Sequence, residues 1–148
     1  MTLCMPAADP AVLARRATIA DSLRALVPPA NVITHDDALK AYDSDGLTAY
    51  RQPPMIVVLP ETTVQVSAIL KYCASAGIKV VPRGAGTGLS GGALPLADGI
   101  TLGLGKFNRI LEIDLPNRCI RAQPGVTNLA LTRAVEHAGF YYAPDPSS

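Results

Sequence analysis

The sequence has little of three features that assign many proteins to a class: cysteine, net charge and long apolar runs. Its 148 residues contain three distant cysteines without a C-x-x-C pair, which argues against a disulfide framework or a zinc site and is typical of a reducing cytosol. Thirteen basic and twelve acidic residues leave a formal charge of +1, so nucleic acid would meet no basic surface. No stretch reaches the roughly 18 apolar residues that a transmembrane helix requires, and the N-terminus lacks a signal-peptide pattern.

Apolar residues make up 49% of the chain and charged residues 17%, which is enough for a packed core of one domain. The three cysteines, Cys4, Cys73 and Cys119, are expected to be small buried hydrophobes. Periodicity and turn residues predict strands and helices in a mixed α+β order, with a parallel pair formed by the first two strands. The predicted strands are 55–59, 78–81, 99–104, 110–114, 119–122 and 140–142, and the predicted helices are 11–27, a short piece after 37, 62–77 and 127–137.

The pattern changes near residue 53, which suggests two regions. Residues 1–52 are predicted to form an N-terminal helical extension, and residues 53–148 the first part of a larger domain. The chain stops directly after an apolar, strand-like run, whereas a mixed sheet would normally continue. We therefore expect this sequence to be a piece of a longer protein.

One stretch, P-R-G-A-G-T-G-L-S-G-G-A at 82–93, holds five glycines in twelve residues and no general base. It contains G-x-G-x-x-G, but a dinucleotide-binding Rossmann turn needs a helix directly after the glycines, and none is predicted here. A Walker-type loop needs G-K-[ST], and no lysine occurs between Arg83 and Gly105.

A phosphate cradle without a helix remains, because glycines let backbone N–H groups converge on an anion. The hydroxyls of Thr87 and Ser90 could add donors, and Arg83 could add a positive charge. The alternative is a loop that only turns the chain between two strands, and glycine content alone does not separate the two. Asp43 and Asp45 are interpreted as turn formers rather than metal ligands.

The order of residues 82–92 resembles the pyrophosphate loop of FAD-linked oxidases of the vanillyl-alcohol oxidase type. Within that group the chain resembles the FAD-binding flavoprotein component of glycolate oxidases. The motifs that carry this second resemblance cover most of the chain after about residue 40: they are Y-D-S-D-G-L-T-A-Y-R at 42–51, V-L-P at 58–60, A-L-P-L at 93–96, Q-P-G-V at 123–126 and Y-Y-A-P-D-P-S-S at 141–148.

The resemblance implies a vanillyl-alcohol oxidase-type FAD-binding domain of class α+β. Its first lobe would have a parallel or mixed sheet with flanking helices, its second lobe would be truncated, and FAD would lie between the lobes. Residues 123–125 would be architectural, and Arg51 would approach the cofactor. The residues expected to bind FAD are Pro82, Arg83, Gly84, Ala85, Gly86, Thr87, Gly88, Leu89, Ser90, Gly91, Gly92, Pro144, Asp145, Ser147 and Ser148.

Some relatives attach the flavin through a histidine directly after the loop, where this sequence has Ala93, so we expect FAD to be bound non-covalently. The resemblance implies a flavin-dependent dehydrogenase that oxidises a small 2-hydroxy acid, glycolate or D-lactate, to the keto acid. It also implies companion glycolate oxidase subunits, one of them an iron–sulfur protein, and a cytoplasmic location with peripheral attachment to the inner membrane through those partners.

The catalytic base and the substrate contacts of that family come from later sequence, so no catalytic residue is assigned and the chain alone is expected to be inactive. Two alternatives remain open. The chain could be a catalytically incomplete module that binds a nucleotide, or nothing, and acts by association. It could also belong to the flavin reductases of bacterial cell-wall synthesis, against which the A-P-D-P-S-S motif at 143–148 argues.

Overall fold

The fold is a four-stranded mixed sheet covered by helices, followed by a two-stranded hairpin and a last helix. A computed structural model describes residues 5–144. The strands are β1 (Val32–Ile33), β2 (Ile56–Val58), β3 (Lys79–Arg83), β4 (Gly99–Gly103), β5 (Ile110–Asp114) and β6 (Cys119–Ala122). The helices are α1 (Pro10–Leu13), α2 (Arg16–Arg24), α3 (Asp36–Leu39), α4 (Thr63–Ala76) and α5 (Asn128–Val135), with short 3-10 turns at Pro29–Asn31, Lys40–Tyr42 and Glu136–Ala138.

The sheet has the strand order β1-β2-β4-β3, and β4 runs parallel to both of its neighbours. Strand β1 is antiparallel to β2 and closes one edge. The first two predicted strands, β2 and β3, are therefore parallel, but they do not pair, because β4 lies between them. Every residue of β4 is buried, as expected for the central strand of a sheet covered on both faces.

Helix α4 joins β2 to β3, and its ends follow the local sequence signals. The Thr62 hydroxyl accepts the N–H of Gln65 at 3.2 Å, as the capping pattern predicts. The Gln65 side chain accepts the N–H of Glu61 at 2.7 Å, one residue before the position that a capping box uses. Gly77 ends the helix with φ 67°, the left-handed conformation that glycine adopts without strain.

The main core lies between α2, α4 and one face of the sheet. Ile19 and Leu23 of α2 and Ile69 of α4 are almost completely buried against Ile56 and Ile100 of the two central strands. Residues before and after position 52 thus share one apolar core. The division of the chain at that position stays a prediction.

Three predicted details are wrong. The helix predicted at 11–27 is divided, because Arg15 leaves helical geometry (φ −95°, ψ 6°) between α1 and α2, and its guanidinium donates to the carbonyl oxygen of Ala76. Residues 140–142 form no strand: their side chains are exposed, and the Tyr142 N–H donates to the Thr132 hydroxyl. Cys119 is exposed because its hairpin faces solvent, whereas Cys73 is buried as predicted, and Cys4 lies outside the described residues.

No helix within residues 5–144 is both long enough and apolar enough to cross a membrane.

Candidate functional site

Residues 84–92, called the glycine loop from here on, leave the carboxyl end of β3. The chain then returns through residues 93–98 to enter β4 beside β3, in the same direction. Residues 84–98, all of them described, contain no helix. This confirms the prediction that separates the loop from a Rossmann turn, whose helix would begin at these glycines.

The glycine loop presents open backbone donors. Within residues 5–144, no backbone N–H of residues 84–92 donates a hydrogen bond to a protein acceptor. A Cβ atom added at Gly84, Gly88 or Gly92 would meet nothing within 4 Å. Unpaired N–H groups that no side chain shields are what an anion-binding concavity requires. They line an open groove of about 460 Å³, formed by Pro82, residues 84–90, Gly92 and Ala93.

Two positions of the loop require glycine for their conformation. Gly86 has φ 75° and Gly91 has φ 76°, in the left-handed region where other residues are strained. A Cβ atom at Gly86 would also collide with the guanidinium of Arg83. Glycine at these two positions therefore sets the path of the backbone, and glycine at the open positions leaves space in the groove.

Arg83, expected to bring positive charge to the loop, is held against the residues that precede it in sequence. Its Nη1 donates to the carbonyl oxygen of Ser44 at 2.6 Å, and its guanidinium carbon lies 5.6 Å from the centre of the Tyr42 ring. The side chain lines a second groove of about 330 Å³ next to the first. The charge is thus fixed beside the loop by a hydrogen bond and a cation–π contact.

A turn formed by residues 44–47, called the support turn from here on, carries the glycine loop. Asp45, which is buried, accepts the N–H of Leu47 at 2.9 Å through Oδ1 and the N–H of Ala93 at 3.3 Å through Oδ2. The first bond confirms Asp45 as a turn former. Gly46 lies so close to the loop that a Cβ atom would be 2.5 Å from the carbonyl oxygen of Thr87.

The second Asp45 bond is a role that sequence reasoning missed. The Asp-Gly pair inside the motif at 42–51 was its only visible signal, and that signal indicated a turn without indicating what the turn contacts.

A polar cluster lies at the same edge of the sheet. Buried Asn31 donates from Nδ2 to Glu61 at 2.9 Å and accepts from Lys106 Nζ at 2.5 Å. Lys106 Nζ also donates to Glu61 at 3.4 Å. The hydrogen bonds that Glu61 accepts, first from Asn31 and second from Lys106, hold the pKa of its carboxyl below its ordinary value. Lys106 lines the second groove and also a third, of about 510 Å³, which includes Arg109. The cationic side chains near the loop thus lie where parallel strands end, the edge at which open α/β sheets bind ligands.

None of the other residues predicted at the site lines the glycine-loop groove in the part of the chain that the structure describes. Pro144 lies by α5, where its carbonyl oxygen accepts from Asn128 Nδ2 at 3.5 Å, and it is not among the residues that line the glycine-loop groove. Asp145, Ser147 and Ser148 lie outside the described residues. The exposed side chain of Arg51 forms an ion pair with Asp43, with 3.6 Å between Nη1 and Oδ2.

Residues 123–125 have the architectural position expected of them. The Gly125 N–H donates to the carbonyl oxygen of Phe107 at 2.7 Å, and the Gln123 side chain accepts the N–H of Arg109 at 3.0 Å. A Cβ atom at Gly125 would be 2.5 Å from the carbonyl oxygen of Leu104. These contacts fix the segment between β6 and α5 to the turn that follows β4.

Comparison with known families identifies the domain. A family described as "FAD binding domain" matches residues 54–148, which include the glycine loop. The chain belongs to this family of FAD-binding domains. FAD is therefore the cofactor of the family, and the open donors of residues 84–92 are of the kind that its pyrophosphate needs.

Two curated proteins and one solved structure are similar to this FAD-binding domain. It is 49% identical over 133 residues to glycolate oxidase subunit GlcD of Escherichia coli (strain K12), covering 90% of this chain and 27% of that protein. It is 34% identical over 121 residues to D-lactate dehydrogenase of Anaerostipes hadrus, covering 81% of this chain and 26% of that protein. The chain thus spans about a quarter of the relatives it matches.

The solved structure is that of p-cresol methylhydroxylase with substrate bound. It superimposes on the FAD-binding domain with a TM-score of 0.73 at 25% identity, covering 89% of this chain and 26% of that one. The expected fold class is confirmed: this is a vanillyl-alcohol oxidase-type FAD-binding fold with a mixed sheet and flanking helices.

Proposed function

We propose that this chain is the FAD-binding portion of a flavin-dependent 2-hydroxy-acid dehydrogenase, in which the glycine loop holds the pyrophosphate of FAD. One observation carries the proposal: the N–H groups of residues 84–92 have no acceptor within residues 5–144, and three of the glycines face open space. A dianionic pyrophosphate would satisfy several of these donors at once.

The proposed cofactor-binding residues divide into two segments. In the first segment, residues 84–92 supply backbone N–H groups, and Pro82 and Arg83 directly precede them at the end of β3. The hydroxyls of Thr87 and Ser90 add further donors. In the second, Pro144, Asp145, Ser147 and Ser148 would run beside the flavin. Ala93 offers no atom for a covalent bond to the flavin at the end of the loop, so the cofactor would be held by non-covalent contacts alone.

FAD, when bound, supplies the hydride acceptor for oxidation of the hydroxy acid to the keto acid. The residues of this chain bind and orient it; they include no proposed catalytic base. The names of the two curated relatives favour glycolate or D-lactate as substrate. We further propose companion glycolate oxidase subunits, including an iron–sulfur subunit, and a cytoplasmic location with peripheral attachment to the inner membrane through those partners.

The first experiment is a titration of this chain with FAD, followed by flavin fluorescence, for the wild type and Gly88→Val. Gly88 has open space around its Cβ position, so valine should leave the fold intact and fill the groove. The matched control is Ala74→Leu, which adds apolar bulk on the exposed side of α4. We expect saturable binding that Gly88→Val abolishes and Ala74→Leu preserves. Folded proteins that all fail to bind FAD, or all bind it equally, would contradict the assignment of the loop.

The second experiment tests the activity. In a chimera, this chain would replace the matched 133 residues of the Escherichia coli protein, to which it is 49% identical. We expect the chimera to reduce a dye with glycolate or D-lactate, and to lose that activity when it carries Gly88→Val. A folded chimera that binds FAD but oxidises neither acid would contradict the proposed reaction while leaving FAD binding intact.

One observation favours the alternative function of an association module. The hairpin and α5 expose large apolar side chains, among them Leu111, Ile113 and Leu129, beside an apolar groove of about 440 Å³. Exposed apolar surface of this kind marks protein contacts. Sedimentation of the chain with and without FAD distinguishes the two functions. An association module would self-associate or bind a partner to the same extent whether or not FAD is present.

A further inference from the structure

The support turn contacts the chain near both ends of the glycine loop and in its middle. Arg83, at the start of the loop, donates to the carbonyl oxygen of Ser44, and Ala93, just after its end, donates to Asp45. In the middle, the carbonyl oxygens of Thr87 and Gly88 lie 2.5 and 2.8 Å from the position that a Cβ atom of Gly46 would take. Contacts at the start, the middle and the end of a segment without helix or strand fix its conformation before any ligand arrives.

Asp45 is unusual among the carboxylates of the described residues. It is 6% exposed, and the other buried aspartate, Asp98 at 2%, is paired with Lys79 at 2.7 Å. Within residues 5–144, Asp45 has no cation within salt-bridge distance, and its two oxygens accept the N–H groups of Leu47 and Ala93. A carboxylate that is buried without a cation is costly unless N–H groups solvate it, so its presence needs a reason.

The position of the second bond supplies that reason. The N–H groups of residues 84–92 are open, and the next one along the chain, that of Ala93, is taken by Asp45. The carboxylate therefore fixes the point at which the row of open donors ends. Its other oxygen fixes the turn that contacts Thr87 and Gly88, so one side chain sets both the end and the middle of the loop.

We propose that Asp45 is a positioning residue for the cofactor: it holds the glycine loop in its binding conformation without touching FAD. This inference rests on the proposed function of the loop. Preorganised donors bind better than donors that must be ordered on binding, since the ordering cost is subtracted from the affinity. Loss of the Asp45 bond to Ala93 should therefore weaken FAD binding more than it weakens the fold.

The test variant is Asp45→Asn, in which an NH2 group replaces one of the two oxygens that accept from Leu47 and Ala93, so that one of these two hydrogen bonds is lost. The matched control is Asp98→Asn, a buried aspartate bound to the N–H of Asp9 and to Lys79 at the opposite, amino-terminal edge of the sheet. Two readouts are taken: the Kd for FAD, and the hydrogen-exchange rate of the Ala93 amide in the FAD-free chain, by NMR.

We expect Asp45→Asn to raise the Kd about tenfold and to accelerate exchange at Ala93 at least about tenfold, while Asp98→Asn changes neither by more than about twofold. A change in only one readout, or equal changes in the control, overturns the inference. If Asp45→Asn does not fold, Asp45→Ser decides by the same two readouts, because its single hydroxyl oxygen replaces the two oxygens that accept from Leu47 and Ala93. A wild type that binds FAD beside an unaffected Asp45→Asn overturns this inference alone, whereas a folded wild type that does not bind FAD overturns the proposed function as well.

Discussion

Replacing Lys106 with methionine should destabilise the chain by about 2 kcal/mol, far more than a surface lysine would. The Lys106 ammonium donates to Asn31 Oδ1 at 2.5 Å, and Asn31 is only 2% exposed. Methionine keeps most of the length of the side chain but cannot donate, so the buried amide oxygen is left without a partner. An unsatisfied buried acceptor costs about 1–3 kcal/mol. For a chain of this length, about 2 kcal/mol corresponds to a fall in Tm of roughly 4–8 °C.

Thermal unfolding at pH 7, followed by circular dichroism, measures the loss, with Lys40→Met as the control. Lys40 pairs with Asp37 at 2.8 Å, but both side chains are largely exposed, and such pairs contribute at most about 0.5 kcal/mol. In an Asn31→Leu background the loss for Lys106→Met should shrink to that of the control, because no buried amide remains to be left unpaired. Equal losses for Lys106→Met and Lys40→Met would refute the reasoning.

Two further predictions concern ionisable groups. The hydrogen bond from Lys79 holds the pKa of the Asp98 carboxyl below its ordinary value of 3.8. The ionised carboxylate therefore stabilises the folded protein above pH 3.8, and this stabilisation is lost as the pH falls through the lower pKa of the folded state. Lys79→Met should therefore flatten the fall in unfolding free energy as the pH is lowered below about 4, and urea titrations that show the same fall in both proteins would contradict this. Burial raises the pKa of the Cys73 thiol to about 11, whereas Cys119 is exposed. Iodoacetamide should label Cys119 in the native protein and Cys73 only after unfolding, and mass spectrometry that finds both labelled at one rate would show that Cys73 is not protected.

The elements that depend on nearby residues could be predicted from the sequence. The apolar run of β2, the Thr62 cap and the left-handed Gly77 all follow from signals within a few residues. The absence of a helix in residues 84–98 could be predicted in the same way, from the proline and loop residues that follow the glycines. These features are local because backbone propensity and capping act over one or two turns.

The features that depend on long-range contacts could not be predicted. The insertion of β4 between β2 and β3 depends on pairing between strands far apart in the chain, and periodicity carries no information about partners. Asp45 and Ala93 are 48 positions apart, so the sequence indicates a turn at one and a loop at the other without joining them. Residues 140–142 have the composition of a strand, but the Tyr142 N–H meets the hydroxyl of Thr132 instead of a neighbouring strand.

The crossover from β3 to β4 consists of the glycine loop and residues 93–98, and no helix restricts its conformations in the unfolded chain. The central strand can pair with both neighbours only after this flexible segment has closed, and closing glycine-rich chain is entropically costly. We therefore expect this entropic cost to make the β3–β4 pairing less stable than one whose crossover is a helix. A ligand held by the loop would bind only the closed form, so its concentration would decide by mass action how often the centre of the sheet opens.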